Sequence, residues 1–202
     1  MNRKERHDHL LSCALDIFAE KGYHAASVTD IIDRAGVARG TFYLYFESKR
    51  TLFSELLDDL FAVINQRVKR IDRNADPAGA VDQMRSNVKQ VISCLQDNRA
   101  MLRILLAEAV GLDASFDQKL SEFYARLCRL IEQSLMLGMD MKLIRPVNTA
   151  VVSWCILGSI KEVLYNMCMG RELPKLDVLV EEILRYNVRG LFVPEVAERL
   201  CL

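Results

Sequence analysis

Long apolar runs are missing from this sequence: no stretch approaches the ~18 consecutive uncharged apolar residues that mark a membrane-spanning helix. The opening segment, MNRKERHDHLLS, is charged and lacks the apolar centre of a signal peptide. Proline and glycine are scarce, at 4 and 9 of 202 residues, which leaves little room for a flexible linker or long irregular segments. Nor is there an excess of charge of either sign. Lys plus Arg and Asp plus Glu number 27 each, which excludes a diffuse polyanion binder but not one whose cations gather on a small surface. Paired cysteines are absent as well. The 6 cysteines are scattered, with no CxxC pair and no histidine at metal-ligand spacing. Most stand in apolar helical runs, where a free thiol behaves as a small hydrophobe. The chain therefore reads as a reduced, cytoplasmic protein with no membrane span, no metal site and no cofactor. The 3 histidines (His7, His9, His24) sit near the start, and neither an ExxH pair nor a nucleophile motif appears. No enzyme is expected.

What is present is helical periodicity, in a chain that is 51% hydrophobic. Leu11, Ala14, Leu15 and Phe18 follow the i, i+3, i+4, i+7 rule, and Gly22 is expected to close that helix. Ahead of it, Arg3, Lys4 and Arg6 are interleaved with Glu5 and Asp8 and read as a solvated tail. Ser27 and Asp30 have the spacing of a reciprocal cap, and Gly36 ends the short helix they open. A second short segment spans 39–46. Ser48 then caps a long helix carrying Leu52, Phe53, Leu56, Leu57, Leu60, Phe61 and Ile64. Asp76-Pro77 starts the next, with Pro at its first position. Further helices are expected over 98–110 and 115–137, broken at Gly111 and Gly138, then over 149–169 and from Leu176 onward. The reading is an all-α fold of about nine helices, divided into a head over 1–50 and a body over 51–202.

Three short helices in about fifty residues, the last two joined by a glycine turn, form the skeleton of a helix-turn-helix. Such a unit lays its last helix in the DNA major groove. The segment 39–46 suits that role, because Phe42 and Phe46 lie one turn apart and can anchor it to the head's core. Arg39, Gly40, Thr41, Tyr43, Leu44 and Tyr45 then remain for the outer face or its rim. Arg39 can read guanine, Gly40 permits close backbone approach, and the hydroxyls of Thr41, Tyr43 and Tyr45 can donate to phosphates. Ser48-Lys49 places a cation beside a capped helix N-terminus, a phosphate site in waiting.

The ordered set from Gly22 through Ser27-Val28-Thr29-Asp30-Ile31-Ile32, Ala35-Gly36-Val37 and Arg39-Gly40-Thr41-Phe42-Tyr43-Leu44-Tyr45-Phe46 to Ser48-Lys49 resembles the head of the TetR family of repressors. The likeness covers roughly a quarter of the chain; the rest resembles the family in length and architecture only. It implies that Thr29, Arg39, Gly40, Thr41 and Leu44 approach bases, and that Ser27, Tyr43, Tyr45 and Lys49 hold phosphates. Ala38 departs from it, since the family often has Ser or Thr capping the recognition helix.

A single head reads too few bases to find an operator, so a homodimer on a pseudo-palindrome is expected. The helices near 149–169 and 176–188 are the candidate interface, as the family resemblance also implies, because 149–169 is apolar around most of its circumference. The remaining body helices are expected to enclose an apolar effector pocket, with Met101, Leu105, Phe123, Trp154 and Tyr165 as candidate lining residues. The stretch from 108–113 through Phe123-Tyr124 looks like family members that sense fatty acyl thioesters. The functional expectation is a repressor released by a small hydrophobic effector. The alternative is a constitutive DNA-binding or accessory protein on the same scaffold, without an effector; a pocket large enough for a small molecule separates the two.

Overall fold

The computed structural model describes residues 2–108 and 114–199. Among these the chain is all-α, and the sole β-type pairing is an isolated bridge between Ile144 and Phe192. The helices are α1 (Arg3–Ala25), α2 (Val28–Ala35), α3 (Arg39–Tyr43), α4 (Lys49–Arg67), α5 (Pro77–Asp97) and α6 (Arg99–Arg103), which runs on into a π-helical turn over Ile104–Glu108. They continue as α7 (Ala114–Asp140), α8 (Thr149–Cys168), α9 (Leu176–Val188) and α10 (Pro194–Arg199). Two compact units result, Met1–Ala62 with Asn98–Phe123 and Val63–Asp97 with Tyr124–Leu202.

In the first unit, α1 begins with a reciprocal cap. The Asn2 side chain accepts from the Glu5 amide at 2.9 Å, and the Glu5 carboxylate accepts from the Asn2 amide at 2.8 Å. The basic residues expected in a solvated tail thus lie in the first turns of a helix, Arg3 and Lys4 exposed and Arg6 half-buried. Leu10, Leu11, Ala14, Ile17 and Phe18 form its buried stripe. Gly22 interrupts α1 as expected: its φ of 79° and ψ of 159° are non-helical, and one further turn beyond this kink delivers Tyr23 to the core. The reason is aromatic packing, because the Tyr23 ring lies 5.2 Å from Phe18 and 5.0 Å from Phe53. Helix α6 and the π-helical turn pack on α1, with Met101, Leu102, Ile104 and Leu105 buried.

In the second unit, α9 packs against α5 and α8. The stripe Leu179, Val180, Ile183 and Leu184 is buried within the subunit, as is Leu164 of α8. Arg85 of α5 pairs with Glu181 of α9, and Lys89 with Asp177. Gly138, expected to break its helix, lies inside α7, which continues to Asp140. Its role is close approach: a Cβ there would stand 2.5 Å from the Ile144 Cδ1, and the Gly138 carbonyl accepts from the amides of Leu143 and Ile144. The expected break at Gly111 and residues 109–113 of the stretch likened to acyl-thioester sensors lie outside the described residues.

Candidate nucleic-acid interface

Local chemistry builds the reading unit. Ser27 Oγ accepts from the Asp30 amide at 3.1 Å, and Asp30 Oδ2 accepts from the Ser27 amide at 2.8 Å and from its hydroxyl at 2.7 Å. Lys21 closes the network on the other carboxylate oxygen. The Lys21 ammonium, and after it the Ser27 donors, hold the Asp30 carboxyl well below the ordinary carboxylate range. Gly36 ends α2 in the left-handed conformation, at φ 63°. Ala38 makes no side-chain cap for α3, whose first bond is instead from the Thr41 amide to the Ala38 carbonyl at 2.9 Å. Regular α-helix covers only the first part of the expected 39–46 segment. The Phe46 amide nevertheless bonds the Phe42 carbonyl at 2.9 Å, so the turn continues far enough to bury both rings.

With Phe42 and Phe46 inward, the opposite face is presented. Arg39 and Gly40 are exposed, Tyr43 is 45% exposed and Leu44 76% exposed, while Thr41 and Tyr45 are half-buried on the rim. The Arg39 guanidinium stands 5.8 Å from the Tyr43 ring centroid, a cation–π distance that holds the two side chains together. A Cβ at Gly40 would meet nothing within 4 Å, so the backbone there is open to an incoming molecule. Thr29 is exposed at the start of α2, beside the capping Ser27.

Lys49 is the exception. It does not stand free beside the α4 N-terminus, which Ser48 caps by accepting from the Thr51 amide at 3.1 Å. Its ammonium is turned onto the end of α1, where it donates to the Tyr23 and Ala26 carbonyls, each at 2.6 Å. His7 was missed by the sequence reading; its ring stacks on Phe46 from α1. A lone histidine 39 positions away carries no local signal of that contact.

The candidate effector residues are divided between the two units. Met101, Leu105 and Phe123 are buried in the first, and Phe61 meets Phe123 edge-on at 6.5 Å. Tyr165 is half-buried in the second. Trp154 corrects the expectation of an interior position, because it is 61% exposed on α8. Its helical phase explains this: Val151, Trp154, Cys155 and Gly158 share one outward stripe, while Ser153 and Leu164 face in. No helix among the described residues is long and apolar enough to cross a membrane, and no three potential metal ligands converge among them.

A three-helix head with an open, Arg- and Tyr-bearing recognition helix on an all-helical body defines a helix-turn-helix transcriptional regulator. Residues 10–56 match the tetR family of bacterial regulatory proteins. It is 22% identical over 191 residues to the fatty acid metabolism regulator protein of Bacillus subtilis, covering 94% of this chain and 97% of that one. Higher identity is local: 38% over 64 residues with the B. subtilis transcriptional regulator YvdT, a stretch spanning 33% of that chain. Among solved structures, a TetR-family regulator from Syntrophomonas wolfei superposes with a TM-score of 0.79 at 25% identity, covering 92% and 94% of the two chains. The B. subtilis regulator FadR, in complex with stearoyl-CoA, does so at 0.76 and 23% identity, covering 90% and 97%.

Proposed function

We propose that this chain is a cytoplasmic, homodimeric repressor that binds a pseudo-palindromic operator and is released by a small hydrophobic effector, with acyl thioesters the first class to test. The observation that carries the DNA assignment is the open face of Arg39, Gly40, Tyr43 and Leu44 above the buried anchors Phe42 and Phe46. In the proposed complex, Arg39 reads guanine, Thr29, Gly40, Thr41 and Leu44 approach bases, and Ser27, Tyr43 and Tyr45 bond phosphates. Support for the dimer comes from the outward stripe of α8, joined on α9 by exposed Val178 and Tyr186. Two such helix pairs would form a four-helix bundle. The effector reading is supported by the full-length likeness to a fatty acid metabolism regulator and by the neighbour that binds stearoyl-CoA.

Selection from a random duplex pool tests the DNA reading. An enriched pseudo-palindrome with half-sites about one helical turn apart is expected; recovery of no motif overturns the assignment. Arg39→Ala should relax the preference, since a bidentate Arg–guanine pair contributes about 1–3 kcal/mol of discrimination. Affinity should fall steeply with salt despite the zero net charge, with a slope of about −0.9 per phosphate neutralised. The effector is tested by titrating acyl thioesters with and without operator. Linkage requires each ligand to weaken the other by the same factor, typically about 1–3 kcal/mol. Tight binding of the thioester with identical affinity in both cases overturns the release mechanism and leaves the DNA assignment standing.

A further inference from the structure

The C-cap of α1, Ala26, is extended, at φ −68° and ψ 131°; its amide bonds the Gly22 carbonyl, and the next residue, Ser27, already caps α2. The last carbonyls of a helix have no partner further along it and lie at the negative end of its dipole. Here they meet Lys49, the first residue of α4. Its Nζ donates to the carbonyls of Tyr23 and Ala26, both at 2.6 Å, and stands 3.5 Å from that of His24. The same ammonium lies 4.3 Å from the centroid of the Tyr23 ring. An ammonium has three protons to donate, and this arrangement engages them in one place. Burial pushes the Lys49 ammonium below its ordinary value, against the longer-range attraction of Asp30.

We propose that Lys49 is a positioning residue for DNA recognition and not a phosphate contact: it ties the end of α1 to the start of α4 and thereby sets the stance of the helix-turn-helix. The inference rests on the DNA-binding reading. It follows from proximity in the chain, because the latched carbonyl of Ala26 immediately precedes the Ser27–Asp30 cap of α2. A shift at the latch is passed directly to α2, and through the Gly36 turn to α3.

Two variants and two readouts test it. In Lys49→Met, the Kd for the selected operator should rise by about tenfold or more, the scale of lost bonds to a charged donor. The dependence of log Kd on log salt should keep its slope, because no phosphate partner has gone. A direct contact would instead reduce that slope by about 0.9 and weaken operator and unrelated duplex alike. Lys49→Arg retains the charge, but a planar guanidinium fork does not converge on carbonyls grouped around a single point. It should therefore lose operator affinity as the Met variant does. Hydrogen exchange without DNA supplies the second readout, with amides over 22–31 exchanging faster in both variants. Full operator affinity in Lys49→Arg, a slope reduced by about one in Lys49→Met, a lowered melting temperature with unchanged Kd, or unchanged exchange over 22–31 would each overturn the proposal. If the wild-type protein enriches no duplex, the DNA reading itself has failed, and the exchange measurement still judges the latch.

Discussion

The imidazole of His7 lies stacked on the ring of Phe46, with centroids 5.0 Å apart and planes inclined by 28°. The Tyr45 ring is 6.0 Å from the same imidazole, and Glu55 of α4 approaches its Nε2 at 2.9 Å. One side chain of α1 thus braces the turn that follows the recognition helix and ties it to α4. His7→Ala should lower the unfolding free energy by about 0.5–1.5 kcal/mol, the contribution of an aromatic pair. His7→Phe, which keeps the stack and loses the Glu55 bond, should fall between the two. Urea titration reads the difference, and equal midpoints in all three proteins would show that the ring braces nothing.

Asp30 gives the head a dependence on acid. Its carboxyl is held low, first by Lys21 and then by Ser27, so its ionised form is favoured by folding. For a depressed carboxyl the stabilisation is present above its unfolded value, near 3.8, and is lost as pH falls from there through the folded value. Asp30→Asn should be less stable than the parent at neutral pH, with the gap narrowing below about pH 4. A gap that stays constant down the acid limb would remove the charge from the explanation and leave only the shape of the cap.

Leu44 is 76% exposed on the reading face, and the one apolar group the major groove offers is the thymine methyl. Replacing a contacted thymine with deoxyuridine should cost about 0.8 kcal/mol, roughly fourfold in Kd. Leu44→Ala should abolish that sensitivity while leaving thermal stability unchanged. Fluorescence anisotropy on the two duplexes makes the comparison. Equal affinities at every thymine of the half-site would remove Leu44 from base reading.

Trp154 and Leu164 stand on different sides of α8, one 61% exposed and the other 3% exposed. Trp154→Glu should fold normally and sediment as a monomer at micromolar concentration, where the parent is expected to sediment as the proposed dimer. Leu164→Glu should instead lower the urea midpoint, because an unpaired charge is buried in its own subunit. If Trp154→Glu remains dimeric, the α8 stripe is not the interface.

The features legible in the sequence are those made by neighbours in the chain. The Ser27–Asp30 cap, the Gly36 turn, the Ser48 cap and the Pro77 start each depend on residues within about one helical turn, and each lies where the pattern put it. The inward phase of Phe42 and Phe46 follows from the same periodicity, and with it the outward face of the recognition helix. Where periodicity met a competing tertiary demand it misled. Gly138 looks like a helix end, yet the approach of Ile144 carries α7 past it, and beyond the true break at Gly22 the burial of Tyr23 adds a further turn that the pattern did not announce.

Destinations of long side chains were settled only by the tertiary structure. Lys49 occupies a motif position that suggests a phosphate, but its flexible stem reaches carbonyls 23 to 26 residues earlier, which no local pattern encodes. His7 finds Phe46 across a similar span, and the apolar circumference of α8 could not say which of its faces, Leu164 or Trp154, would be covered by its own subunit. Sequence determined the helices and the chemistry each one carries, because hydrogen bonds and periodicity act over a few residues. Which of those groups meet, and which are left for a partner, was decided by packing between segments distant in the chain.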